Sequence, residues 1–395
     1  MDDALARRPV SRDIRRTMTA NELYSRQRDA WLEHPHPDAE YRLRAIRRIR
    51  EWVRAHRSDI RAALTADLGK PEAETDLTEI LVVLMEAKYA LKRLRRWMKP
   101  RRAGTPLALL GSRSRVSVEP KGVVLIISPW NFPFNLALMP LISALAAGNR
   151  CVIKPSELSP ATSRLVASMV AELFSPEEVA VLEGDAEAAK ALLAEPFDHI
   201  FFTGSDRVGR KVMEAAARNL SSVTLELGGK TPAVVDRSAH LATAAERIVW
   251  AKYVNAGQTC IAPDYVLVPE DLEEGFVREA TAALERLYPD ATPQRHPGAY
   301  ARIVTRRHAD RLRALIDEAV TAGATAVAPL DGIGAEDNGA GAGDHFVPPV
   351  ILRGAGSDMS VMREEIFGPV LSVIPVSGRR EAFAFVRGRP RPPGL

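Results

Sequence analysis

Between residues 115 and 227, short β-branched runs alternate with helical stretches, and no other feature restricts the possible folds as much. Val-Ser-Val and Val-Val-Leu-Ile-Ile fall within 115–128, split by Pro120 and Gly122. Further strand-like runs occupy 150–154, 179–183, 199–203 and 223–227. Between them the spacing predicts helices over 136–147, closed by Gly148, and over 161–174, 186–194 and 208–220. Strands separated by helices of this length form βαβ units, so the expected fold class is α/β with a parallel sheet covered on both faces. Ligands bind such sheets beyond the carboxyl ends of the strands. The polar loops at those ends are 128–133, 154–157, 204–205 and 226–230.

A second alternating region begins near Pro232, with helices predicted over 239–254, 274–288 and 305–321 and a strand over 265–268. Two helical stretches, 39–68 and 75–98, precede the first sheet. The chain therefore divides into an irregular polar arm over 1–40, a first domain over 41–226 with a connecting segment at 100–117, and a second α/β domain over 227–395. The Gly- and Ala-rich stretch 331–344 follows no strand and precedes no helix, so it reads as a surface loop rather than a phosphate cradle.

Composition excludes several classes of function. Hydrophobic residues make up 46% and charged residues 26% of the 395, too apolar for a disordered chain. The longest apolar run, 136–147, is too short to span a bilayer and carries Pro140 and Ser143. The first 28 residues lack the apolar core of a secretory signal, so a cytoplasmic location without membrane attachment is expected. Net charge is only +4, and the arginines of 41–57 fall between apolar residues at helical spacing. That is an amphipathic helix with a solvated face, and no nucleic-acid partner is expected. Cys151 and Cys260 sit in unlike contexts, and no residues have metal-ligand spacing, so neither a disulfide framework nor a metal is expected.

Five places carry chemistry. Cys260 follows a Gly-containing turn, where an exposed thiol acts as a nucleophile once ionised; the alternative is a small buried hydrophobe. Glu226 interrupts an apolar strand ahead of Gly228 and Gly229, and a buried carboxylate there would be a general base; the alternative is an ion-paired strand end. Trp130 and Asn131 lie between Pro129 and Pro133 directly after a strand. The Asn131 amide either presents its NH2 to a developing oxyanion or caps the next helix. Lys154 and Glu157 suit ribose hydroxyls at a strand end, with the lysine also able to take a 2′-phosphate. Gly204 and Ser205 open a helix whose N-terminus suits a pyrophosphate. Plain capping is the alternative for both loops.

Together these pieces resemble the aldehyde dehydrogenase superfamily. Its motifs occur in order at 129–133, 154–157, 202–205, 225–230, 257–260 and 364–369. The stretches 95–98, 255–265 and 363–369 resemble the class 3 branch and, within it, coniferyl aldehyde dehydrogenases. The resemblance covers about residues 42 to 392 and implies a Rossmann-type parallel-sheet cofactor domain plus a second α/β catalytic domain. It implies a small-molecule aldehyde substrate, aromatic and coniferyl aldehyde-like, and NAD or NADP as cofactor. Cys260 would add to the carbonyl, with the Asn131 side chain and the Cys260 N–H holding the oxyanion. Hydride would pass to the nicotinamide, and Glu226 would activate the water that hydrolyses the thioester. Lys154 and Glu157 would hold the adenosine ribose, Gly204 and Ser205 the pyrophosphate, Glu365 the nicotinamide ribose, and Phe367 and Trp130 would pack beside the bound cofactor.

Family members run on for several tens of residues past the point corresponding to Pro392, so a C-terminally incomplete catalytic domain is expected. The homodimer usual for the family would then lack its pairing strand. Two other readings stay open at this point: an inactive or association-only remnant, and a cofactor-independent cysteine esterase using Cys260 and Glu226.

Overall fold

The computed structural model describes residues 18–289, 299–327 and 345–394, so the 331–344 stretch lies outside the described residues. Four helical segments come first: α1 (Ala20–Glu33), α2 (Ala39–Ala55), α3 (Arg57–Leu68) and the short α4 (Glu72–Thr75). A π-helical turn, Asp76–Ile80, then leads into α5 (Leu81–Trp97). The connecting segment folds as a two-stranded antiparallel ribbon of β1 (Arg101–Ala103) and β2 (Ser114–Val116). Of the Val-Ser-Val run only Val116 joins a strand, and Val118 stands exposed.

The predicted βαβ alternation is observed. β3 (Val123–Ile127), α6 (Asn135–Ala147), β4 (Arg150–Lys154), α7 (Pro160–Leu173) and β5 (Val179–Val181) follow one another. α8 (Ala186–Ala194), β6 (His199–Gly204), α9 (Asp206–Arg218) and β7 (Ser222–Leu227) complete the unit. The strands form one parallel sheet in the order β5-β4-β3-β6-β7. Every residue of the central strand β3 is buried, because helices cover both faces. One face packs against α2, α3, α5, α6 and α7, with Leu43, Ile46, Ile49 and Val53 inward as their spacing predicts. The other face packs against α1, α8 and α9.

The irregular arm expected over 1–40 is a misreading for its second part, because 20–33 is the helix α1. Thr19 and Glu22 form a reciprocal capping box, and Ala20, Leu23 and Gln27 turn onto the sheet. The Gln27 amide donates to the carbonyls of Cys151 at 2.8 Å and Pro176 at 3.0 Å. A polar sequence hid the helix because its buried stripe is narrow and includes a glutamine.

The second half repeats the logic around a different sheet. β8 (Thr231–Val234), α10 (Leu241–Tyr253), β9 (Pro263–Pro269), α11 (Glu273–Leu287) and α12 (Arg306–Thr321) come first. β10 (Thr325–Val327), β11 (Val350–Arg353), α13 (Ser360–Arg363), β12 (Val370–Val376) and α14 (Arg379–Arg387) follow. The order is β10-β11-β12-β9-β8, with β10 antiparallel at one edge and the remaining pairs parallel. This half has its own core, built on Tyr253, Tyr265, Phe276 and Leu312 among others. The chain passes from one sheet to the other through 228–230, between edge strands β7 and β8. Among the described residues no helix is long and apolar enough to cross a membrane.

Candidate active site

Three consecutive residues with positive φ, Asn255 (+55°), Ala256 (+52°) and Gly257 (+72°), turn the chain sharply between α10 and Cys260. Glycine is required at 257, since a Cβ there would overlap the carbonyl of Gly368. Asn255 and Ala256 pay for their conformation through neighbours that fix it. The Asn255 N–H donates to the Glu74 carboxylate at 2.9 Å, and its side-chain amide donates to the carbonyls of Asn131 at 2.9 Å and Gln258 at 3.2 Å. Gln258 is buried, donates to the carbonyls of Asn255 and Arg302, and accepts from the Val304 N–H, each at 3.0 Å. The next residues therefore emerge from a loop with little freedom.

Cys260 at its end is partly exposed. Burial pushes its thiol pKa up, and the carboxylates of Glu365 and Glu226 add to the rise, while the N–H groups of Cys260 and Ile261 pull the other way. Cys151 is a fully buried strand residue whose thiol is pushed far above its usual range by desolvation. Of the two cysteines, Cys260 is the one open to solvent.

Asn131 is buried on the turn after β3, and its amide NH2 donates to the Gln258 carbonyl at 3.0 Å. The capping alternative is not observed, since α6 has no side-chain cap from its preceding turn. Trp130 packs edge-on against Phe367, with ring centroids 5.3 Å apart, and against His308 at 5.4 Å. Phe367 itself has φ +50°, on the turn that meets Gly257.

The strand-end loops hold the remaining predicted residues. Lys154 is buried and pairs with Glu157 at 2.8 Å. At Gly204 a Cβ would run into the Phe202 ring, and the Ser205 hydroxyl that follows makes no cap bond at the start of α9. The Thr203 hydroxyl is buried with no partner among the described residues. Glu365 receives the Gly229 N–H, and a Cβ at Gly228 would overlap its carboxylate. Burial raises the Glu365 pKa to about 7, and its Oε1 is buried with no partner among the described residues. Orphaned acceptors, an uncapped helix start and positions without room for a Cβ fit the phosphates and riboses of a dinucleotide.

Glu226 corrects the sequence reading. It is exposed, because β7 is the outer strand of its sheet and this position faces away from the packed side. A carboxylate in an apolar run looks the same in sequence whether its strand is central or at an edge.

Several contributors carry no motif. Lys70, Glu74 and Glu79 come from the helical lead-in, and His308 from the first turn of α12. Asp264 sits buried between Lys252 at 3.3 Å and Lys230 at 3.4 Å and accepts the Ile366 N–H at 3.2 Å. Desolvation lowers the pKa of both lysines. A charged residue inside the otherwise apolar strand 263–268 was the legible signal for that cluster.

The profile of the aldehyde dehydrogenase family matches residues 15–387. A probable coniferyl aldehyde dehydrogenase from Caulobacter vibrioides is 43% identical over 385 residues, covering 95% of this chain and 77% of the relative. A 4,4′-diaponeurosporen-aldehyde dehydrogenase from Staphylococcus aureus is 40% identical, covering 91% of this chain and 75% of the relative. Among solved structures, the substrate-bound state of Staphylococcus aureus AldH superposes with a TM-score of 0.88 at 37% identity, covering 95% of this chain and 79% of that one. A mutant of the Pseudomonas syringae AldA indole-3-acetaldehyde dehydrogenase, in complex with NAD+ and IAA, superposes at 0.83 with 27% identity, covering 94% and 74%. Likeness in sequence and in fold extends across both sheets and the loops between them, and the chain belongs to the aldehyde dehydrogenase family.

Proposed function

We propose that the chain oxidises an aromatic, coniferyl aldehyde-like aldehyde to its acid with NAD or NADP, using Cys260 as nucleophile. The observation that carries this reading is the 3.0 Å hydrogen bond from the Asn131 amide to the Gln258 carbonyl. It joins an amide donor from the first half of the chain to the loop of the second half that carries Cys260 two residues further on. The aromatic preference rests on the likeness to a protein named as a coniferyl aldehyde dehydrogenase.

In this reading Cys260 Sγ adds to the aldehyde carbon. The second hydrogen of the Asn131 NH2 and the Cys260 N–H hold the oxyanion, each donor contributing on the order of 10²–10³ in rate. The raised thiol pKa means that a base must take the proton as the bond forms. Glu226, exposed at the sheet edge, deprotonates the water that releases the acid from sulfur. Lys154 and Glu157 hold the adenosine ribose, Gly204 and Ser205 the pyrophosphate, and Glu365 the nicotinamide ribose, with Trp130 and Phe367 beside the ring. NAD or NADP, when bound there, supplies the hydride acceptor. Residues 41–226 thus form the nucleotide half and 227–395 the catalytic half.

The test is nicotinamide absorbance after mixing purified protein with coniferyl aldehyde and NAD or NADP. Turnover is expected, and Cys260→Ala abolishes it. Undiminished oxidation by Cys260→Ala overturns the mechanism.

A further inference from the structure

The helical lead-in places a fully buried ion pair beneath the turn that carries Asn131. Lys70 and Glu79 are both 0% exposed, with Nζ and Oε1 2.7 Å apart. Burying two charges costs desolvation that their attraction seldom repays, so such a pair is poor evidence for a purely stabilising role. Its remaining contacts are specific. Lys70 Nζ donates to the Asn131 carbonyl at 3.2 Å and lies 4.2 Å from the Phe132 ring centroid. Glu79 Oε2 accepts the Asn135 N–H at 2.8 Å, capping α6, which has no side-chain cap of its own. One pair thus grips the turn 131–135 at both ends.

The same segment reaches the nucleophile loop. Asn255 donates its amide to the carbonyl that Lys70 holds, and Glu74 accepts the Asn255 N–H at 2.9 Å. Glu74 and Glu79 are five residues apart across the π-helical turn Asp76–Ile80. The i to i+5 bonding of such a turn keeps residues at that spacing on one face, and π turns concentrate at functional sites.

We propose that Lys70, held by Glu79, is a positioning residue for the oxyanion donor: it fixes the Asn131 main chain so that the side-chain amide stays beside Cys260. This rests on the reading of Asn131 as an oxyanion donor. A displacement of about 1 Å at such a donor is enough to cost on the order of 10²-fold in rate.

The experiment follows acylation of Cys260 in the full chain by p-nitrophenyl acetate without nucleotide. Sulfur takes the acetyl group, p-nitrophenolate leaves and gives the burst, and the thiol proton passes to solvent. Lys70→Met alone strands a buried carboxylate, so Lys70→Met/Glu79→Gln, which removes both charges, is the second variant, with melting curves to check folding. Asn131→Ala is expected to slow the burst on the order of 10²-fold. The neutral pair is expected to slow it about 10-fold or more with ester KM unchanged, yet to add nothing in the Asn131→Ala background. Equal slowing in both backgrounds, or none, overturns the proposal. So does a wild-type chain without a burst, or a burst that Asn131→Ala leaves intact. An Asn131-dependent burst in a chain that reduces neither NAD nor NADP would defeat the redox reading alone and leave this one standing.

Discussion

Cys260 is held in its protonated form more firmly than a free thiol, first by burial and then by the Glu365 carboxylate. Iodoacetamide alkylation should therefore reach half its limiting rate above the usual thiol midpoint of about pH 8.5. Glu365→Gln removes one repelling charge, so the midpoint should fall. A midpoint unmoved by that substitution would show that the two groups do not interact. Glu365 has its own pH signature. Its folded pKa, about 7, lies above the ordinary 4.5, so the folded state holds the proton more tightly than the unfolded chain. The resulting stabilisation is complete below about pH 4.5 and is lost as pH rises through 7. Thermal melts should show wild type losing ground to Glu365→Gln across that window. Leu220 is 92% exposed with φ +54°, a conformation that suits glycine. Leu220→Gly should raise stability by roughly 1 kcal/mol, read from the denaturation midpoint. Cys260 and Asn131 were legible because each stands in a short, unusual context. Exposure of Glu226 was not, because it depends on which strand lies outermost.

At the scale of elements, the first sheet with its helices, and α10, β9, α11 and α12 of the second half, were legible from periodicity, and the candidate loops from their position at strand ends, whereas β8, β10, β11, α13, β12 and α14 were not read. What escaped was whatever depends on partners far along the chain. α1 carries a capping box at Thr19 and Glu22, yet its inward Gln27 gives no apolar signal. Lys70 and Glu79 carry no motif, and their burial depends on the turn after β3 packing over them. Asp264 joins four elements in the same hidden way: the β7–β8 crossing through Lys230, α10 through Lys252, the turn after α13 through Ile366, and β9 itself. Asp264→Asn leaves two lysine cations short of their counter-charge, one of them fully buried. A loss of about 3–5 kcal/mol is expected in urea denaturation.

Across the whole molecule, Leu77, Leu81, Met85 and Tyr89 form an apolar stripe at i, i+4 spacing along the π turn and α5, with Met85 59% exposed. Exposed apolar surface of this kind promotes association. Leu81→Lys/Met85→Lys should lower light scattering while leaving the melting temperature unchanged, and unaltered scattering would exonerate the stripe. The two sheets were legible as separate alternating regions, whereas the network pinning Asn131 to the Cys260 loop was not, since it spans more than a hundred residues of sequence. Finally, the single passage between the sheets at 228–230 orders events during synthesis. Ribosomes release chains amino end first, at about 5–20 residues per second, and domains fold as units. All five strands of the first sheet are synthesised, and so emerge, ahead of β8. The loop that carries Cys260 therefore emerges after the Asn131 turn it bonds to, and the newborn first half waits for it on the order of seconds.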